Sequence, residues 1–299
     1  MQVVVLMILV LLGVIIAKTK LIGDTGIKNI TDLVLTFVAP CVIIKSFIRE
    51  FDVAVLKSLL FSFLIAIVAH ILFIAFGFTF IHSKDKVAER VLRFGIIFTN
   101  SGFMSLPLQQ ALLGDEGVFY CSSYITIFQI FIWTYGVFLM SGDKKNLTIK
   151  KIVLNPGIIG FLIGFIIFIF SIPIPRVIKE PIQYMSALNT PLPMIIIGYH
   201  LASSNVVRVF KSFASVVAML LRLLILPAIA VGIMYLCGIK GTILISSAIS
   251  FCAPVAAMTT MFASRYNADT ELSVSFVSVT TLLSVITMPI IIALTQYIA

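Results

Sequence analysis

Carboxylates are scarce in this sequence: its 299 residues hold 12 Asp and Glu against 21 Lys and Arg, and charged side chains of both signs make up only 11%. Soluble domains carry about 25%. With 61% hydrophobic residues and a mean hydropathy of +1.18, the chain reads as an all-α polytopic membrane protein, since lipid offers no partner to backbone groups left outside helices. Long hydrophilic runs are also missing. The connections between apolar stretches are too short to house a soluble catalytic or regulatory domain, so whatever the protein does, it does within the bilayer.

Other absences narrow the chemistry. Cys41, Cys121, Cys237 and Cys252 lie in apolar segments without CxxC spacing, so neither a disulfide framework nor a zinc site is indicated. No metal or cofactor is expected. HExxH, P-loop and GxSxG patterns do not occur, which argues against an enzyme and against ATP hydrolysis by this chain. Asp24-Thr25-Gly26 spells an aspartic protease triplet, but that chemistry needs a second aspartate to share the proton, and no partner triplet is present. The net charge of +9 does not indicate a nucleic-acid partner, because the Lys and Arg residues sit in short loops between apolar runs.

Apolar runs of spanning length occur near 1–17, 28–48, 54–81, 90–113, 117–140, 156–172, 181–203, 209–237, 241–264 and 271–298. The first run has no positive charge before it and is followed by Lys18 and Lys20, the reverse of a signal peptide, so it reads as a first span. Of the cationic side chains in connections, fourteen fall on one side, among them Lys18, Lys84, Arg93, Lys144, Lys145, Lys150, Lys151, Arg208 and Arg265. Five, among them Arg49, Arg176 and Lys240, fall on the other. Cationic loops stay cytoplasmic; both termini are therefore expected outside, in a plasma membrane.

The sequence is organised around Phe98-Thr99-Asn100-Ser101-Gly102-Phe103-Met104-Ser105-Leu106-Pro107. It lies within a span, yet its Asn, Ser, Gly and Pro weaken the helix. A broken helix survives in hydrocarbon only where its freed groups face protein or a wet cavity, and in secondary transporters such breaks hold the substrate. A plain proline kink is the alternative. An offset of 153 positions lays Pro40 on Pro193, Asn100 on Ala253 and Ser101 on Pro254, and the turn Gly114–Gly117 on Asn267–Thr270. Two interrupted spans at matching places in two halves point to inverted repeats, 1–150 and 151–299, each of five helices, with breaks in spans four and nine.

Those residues carry a family likeness. Asn100–Leu108 with Gly114-Asp115-Glu116-Gly117 resembles the fourth span of the auxin efflux carrier family. Ala253-Pro254 with Tyr266–Asp269, then Thr280–Ser284 and Met288-Pro289, are similar to its ninth and tenth spans. The family includes plant auxin exporters and bacterial carriers of malate or malonate, and belongs with the bile-acid, arsenite and riboflavin transporters. The likeness implies ten spans in two inverted repeats, with broken helices four and nine crossing and a scaffold beside them; scaffold and transport domains each draw helices from both repeats. It carries over Asn100, Pro107 and Pro254 as crossing residues. Ser105 stands where many members have Gly, which narrows the approach to the crossing.

The interior chemistry favours an anion. Every Asp and Glu lies in a connection or near a span's end, whereas a cation antiporter of this architecture is expected to bury carboxylates. A small organic carboxylate would be held by half-helix N–H groups and by Asn100, Ser101 or Thr259, with Gly102, Ala253 and the two prolines shaping the crossing. One helix N-terminus contributes about 0.3 to 2 kcal/mol to anion binding, so several donors must converge. Asn189-Thr190-Pro191-Leu192-Pro193 either completes the pocket or is a packing kink. Arg222, mid-span, costs roughly 2.5 to 3.5 kcal/mol on insertion scales; it either acts on charge or is held by carbonyls that Pro227 frees. His70 and His200 either relay protons or bond structurally to neighbouring helices. Ser275, Ser278 and Thr281 form a small polar stripe that reads as packing surface or pocket wall. The expected function is secondary transport of a small organic anion by alternating access, with H+ or Na+ coupling open. A homodimer is among the assemblies a lipid-facing surface allows. The alternatives are a sodium-coupled symporter of the bile-acid type and a ligand receptor or channel without turnover.

Overall fold

The computed structural model describes residues 2–142, 153–202 and 208–299. Asp143, Lys144, Lys145, Lys150 and Lys151, and with them the boundary at 150/151 between the expected halves, lie outside the described residues. Helices make up nearly all of the rest: α1 Gln2–Thr19, α2 Asp24–Leu33, α3 Ala39–Phe47, α4 Val53–Phe80, α5 Lys86–Ile97, α6 Leu106–Phe131, α7 Val137–Ser141, α8 Pro156–Ile169, α9 Arg176–Ala187, α10 Pro191–Ala202, α11 Phe213–Leu220, α12 Leu226–Leu236, α13 Gly241–Cys252, α14 Met258–Arg265 and α15 Thr270–Ile298. Among the described residues, five helical runs are long and apolar enough to cross a membrane: Asp24–Phe47, Val53–Phe80, Ser101–Ser141, Phe213–Leu236 and Thr270–Ile298. This is an integral membrane protein whose lipid-facing side chains, such as Leu60, Leu64 and Ile71 on α4, are apolar and exposed.

The run Ser101–Ser141 has 41 residues, which at 1.5 Å per residue would reach about 60 Å, twice the thickness of a bilayer core. It cannot be one straight rod. Gly114, at φ 63° and ψ −150°, breaks it between α6's two arms, a backbone conformation that a side chain would resist. Prolines leave another local signature. Wide π-turns at Val34–Val38, Ser101–Ser105 and Leu221–Ile225 each end two residues before Pro40, Pro107 or Pro227. A proline ring crowds the carbonyl of the preceding turn and offers no N–H in return, and opening that turn relieves the clash.

Two apolar clusters divide the interior. One gathers buried side chains of α4, α5, the second arm of α6, α11, α12, α13 and α15, including Phe73, Phe94, Phe98, Phe251 and Phe276. The other joins α3, α8 and α10 to the middle of α6, around Phe47, Phe119, Phe161 and Phe168. Within the second group the helices approach closely through glycine: a Cβ on Gly13 of α1 or Gly198 of α10 would collide with the facing backbone, and one on Gly160 of α8 would lie 2.8 Å from Pro40 Cα.

Polar ends are tied off locally. Asp52 and Asp85 cap α4 and α5 by accepting from backbone N–H groups. Lys45 on α3 pairs with Asp115 at 3.0 Å. Arg208 pairs with both Asp269 and Glu271, and its bond to Asp269 holds the guanidinium pKa above its ordinary value. One of the acids near a span's end is nevertheless buried. Glu89 on α5 is buried, where Lys86 and Arg93 both reach it at 3.0 Å and the Ser83 N–H donates to it. Two cations and a backbone donor compensate its lost hydration.

Candidate functional site

The helix carrying Asn100 breaks at Phe98–Asn100, earlier than the stretch ending at Pro107 suggests. Helix α5 ends at Ile97 and the chain is helical again from Ser101, so Pro107 widens a turn and does not end a helix. In the second half, α13 ends at Cys252 and α14 begins at Met258. The two extended segments run antiparallel and pair as a short bridge, Thr99 opposite Val255. The Asn100 N–H donates to Pro254 O at 2.8 Å, and the Ala256 N–H donates to Phe98 O at 2.9 Å. The Val255 N–H donates to Thr280 Oγ1 at 3.3 Å. Backbone groups that would be orphaned by the breaks thus satisfy each other in a buried place.

Side chains fix this meeting point. Ser105 Oγ donates to Ile249 O at 3.2 Å and Gln109 Nε2 to Ser246 O at 2.7 Å, fastening the start of α6 to α13. Thr99 Oγ1 donates to the Tyr124 hydroxyl at 3.1 Å. Gly95 on α5 faces the Phe276 ring, which a Cβ would overlap by approaching within 2.5 Å of Cε1.

Beside the bridge opens a cavity of about 450 Å³. Its polar lining is Thr31, Asn100, His200, Thr260, Ser278 and Thr281; Phe103, Ile197, Met261 and Val277 are among its apolar walls. No carboxylate lines it among the described residues. Asn100 is only 5% exposed, its side chain makes no capping bond to the helical segment that follows, and it stands on the cavity wall. Asn100 also borders a small space of about 40 Å³ lined by Ser101, Gly102, Gln129 and Ala257. The helical segments that start at Ser101 and Met258 both begin at these cavities. The first N–H groups of a helix carry partial positive charge; those after Met258, of Thr259 and Thr260, already donate to Ala256 O and Ala257 O, so the start of the helical segment at Ser101 is the end that faces the cavities with donors to offer.

The structure brings Asn100 and His200 to the large cavity and Ser101 and Gly102 to the small one. It does not bring Pro107, Ala253, Pro254, Thr259, Asn189 or Thr190 to either. Pro254 and Ala253 belong to the bridge and its flank, while the buried hydroxyl of Thr259 and both amide atoms of buried Asn189 have no partner. His70 stacks on the Phe131 ring and lies tilted against the Tyr124 ring, each at 5.0 Å, with Nδ1 2.8 Å from Ala66 O, and does not line the cavity. Arg222 is fully buried, with Nη1 donating to Ile96 O at 2.9 Å and Nη2 donating to Phe251 O. The carbonyls that hold it come from α5 and α13, not from its own kinked helix. Thr31 and Thr260 were not apparent as lining residues; the polar Lys28-Asn29-Ile30-Thr31-Asp32 stretch at the start of a span was the available signal for Thr31.

A buried bridge between two interrupted helices, beside a cavity inside an integral membrane protein, defines the class: a membrane transport protein. The sequence profile of the membrane transport protein family matches residues 1–292. The chain belongs to that family, which is the auxin efflux carrier family of the sequence likeness. It is similar to an "Uncharacterized transporter" of Methanothermobacter thermautotrophicus, 26% identical over 288 residues covering 95% of this chain and 94% of the relative. It is also similar to "Uncharacterized transporter MJ1031" of Methanocaldococcus jannaschii, 24% identical over 299 residues with coverage of 95% and 94%. The protein is a transporter and not an enzyme.

Proposed function

We propose that the protein is a secondary transporter of a small organic carboxylate, bound in the cavity beside the Thr99–Val255 bridge and carried by alternating access. The observation that carries this reading is the Asn100 side chain on the wall of a cavity of about 450 Å³ that no acid lines among the described residues. An amide facing such a cavity is free to donate to a cargo carboxylate. The half-helix N-terminus at Ser101 adds donors, His200 adds a further one, and the apolar walls fit a short carbon skeleton.

In this reading the bridge is the crossing of spans four and nine in a fold of ten spans, two inverted repeats of five, 1–150 and 151–299. The cluster around Phe94, Phe98 and Phe251 moves with the crossing, and the cluster around Phe47 and Phe161 is the scaffold. Both termini face outward from the plasma membrane.

Counterflow of labelled malonate, malate and indole-3-acetate into liposomes loaded with the unlabelled acid tests this. We expect accumulation with at least one acid and its loss in Asn100→Asp, which sets a negative charge where the carboxylate binds. Equal accumulation in Asn100→Asp would remove Asn100 from the site. Downhill flux without counterflow would favour the channel alternative, because exchange against a gradient requires alternating access.

A further inference from the structure

We propose that Arg222 is a built-in cation that occupies the place where a coupling cation would bind at the crossing, so that the wild-type protein takes no Na+ there. This deepens the transport reading and rests on it for its meaning, though not for its test. Ile96 and Phe251 are the penultimate residues of α5 and α13. In an unbroken helix their carbonyls would accept from the N–H groups of Asn100 and Val255. Here both donors are diverted, Asn100 N–H to Pro254 O and Val255 N–H to Thr280 Oγ1. That leaves two carbonyls facing the same buried point, at the negative ends of two half-helices that together amount to about one elementary charge.

Arg222 fills that point. Its Nη1 and Nη2 donate to the two carbonyls, and its guanidinium lies 5.1 Å from the centre of the Phe73 ring, whose face favours a cation. No carboxylate pairs with it among the described residues, so these carbonyls and the ring are its counter-charge. Unwound carbonyls and half-helix C-termini are the groups that coordinate Na+ in coupled transporters. A tethered guanidinium there satisfies them permanently. No cluster of three or more His, Cys, Asp or Glu that could hold a metal ion exists elsewhere among the described residues.

The test is the melting temperature of the purified full chain in detergent, in choline chloride, NaCl and non-denaturing guanidinium chloride at equal ionic strength, for wild type, Arg222→Ser and Arg222→Lys. It needs no cargo, so it stands apart from whether any carboxylate is transported. We expect the wild type to melt alike in choline and Na+. Arg222→Ser should melt lower and be raised specifically by guanidinium, while Arg222→Lys, which keeps the charge, should fall between. A Na+-specific rise in the wild type overturns the proposal, as does an Arg222→Ser protein as stable as the parent. If Arg222→Ser does not fold, the wild-type comparison and Arg222→Lys decide alone, since a lysine variant that gains a Na+-specific rise shows that the charge was not what filled the place.

Discussion

The two sides of the Thr99–Val255 bridge carry opposite kinds of helix end: the C-terminal ends of α5 and α13 on one, and the N-terminal ends of the helices that resume at Ser101 and Met258 on the other. Toward Arg222 the helix ends are carbonyls, and a fixed guanidinium meets both of them through Nη1 and Nη2 in a packed interior, its Nε alone being left without a partner. Toward the cavity the ends are N–H groups, and beside them the Asn100 side chain faces open space. A helix end closed by a tethered group serves as structure, whereas one that faces a cavity stays free to meet a ligand. In the proposed reading that contrast separates a structural fastening from the cargo site along one pair of chain segments.

Removing the closed side should have the largest effect. Arg222→Leu, similar in apolar bulk but without donors, loses two charge-assisted hydrogen bonds of about 1.5 to 3 kcal/mol each, and we expect roughly 3 kcal/mol of destabilisation in a detergent unfolding titration. A variant that unfolds at the parental midpoint would dissolve the contrast. Next comes the open side: Asn100→Ala should weaken cargo binding by about 10- to 100-fold, the equivalent of one hydrogen bond to a charged group, with little change in melting temperature. A large drop in melting temperature without loss of affinity would make Asn100 structural. Smaller again is Ser105→Gly, which removes the bond to Ile249 O and restores the residue that the family resemblance leads one to expect. It should cost about 1 kcal/mol while leaving affinity in place, as equilibrium binding would register. Smallest is Lys45→Ala. Its pair with Asp115 is partly exposed on both sides, and such pairs contribute roughly 0 to 1 kcal/mol, so melting should hardly change.

Parts of this contrast were legible in the sequence. Asn100-Ser101-Gly102 inside an apolar run marks a break because those residues are poor helix formers in a place where lipid demands helix. The matching disturbance at Ala253-Pro254 marks the second one. The position of the break within the stretch was not legible. Pro107 looked like its end, yet proline fits the first turn of a helix, and the chain resumes helical form at Ser101 with a widened turn. The partners of Arg222 were hidden for a different reason. Its own Pro227 is five residues away in sequence, whereas Ile96 and Phe251 come near only after two other helices have broken and met. Likewise Ser278 and Thr281 read as packing stripe or pocket wall by spacing alone, and only the fold sets them beside Asn100. Asn189 and Thr190 have the right chemistry for a pocket but stand before α10, outside the cavity that its later residues Ile197 and His200 line.

The central claim is that cargo occupies the cavity beside Asn100. Its most direct measurement is the rate at which a membrane-permeant maleimide labels Ser278→Cys, a cavity-wall position, in a protein whose Cys41 and Cys237 are replaced by Ser. The account predicts that the acid active in counterflow slows labelling at position 278 in a saturable way and leaves a lipid-facing control, Leu64→Cys, unchanged. Labelling at position 278 that proceeds at the same rate with saturating transported acid would contradict it, and would place the cargo elsewhere in the membrane domain.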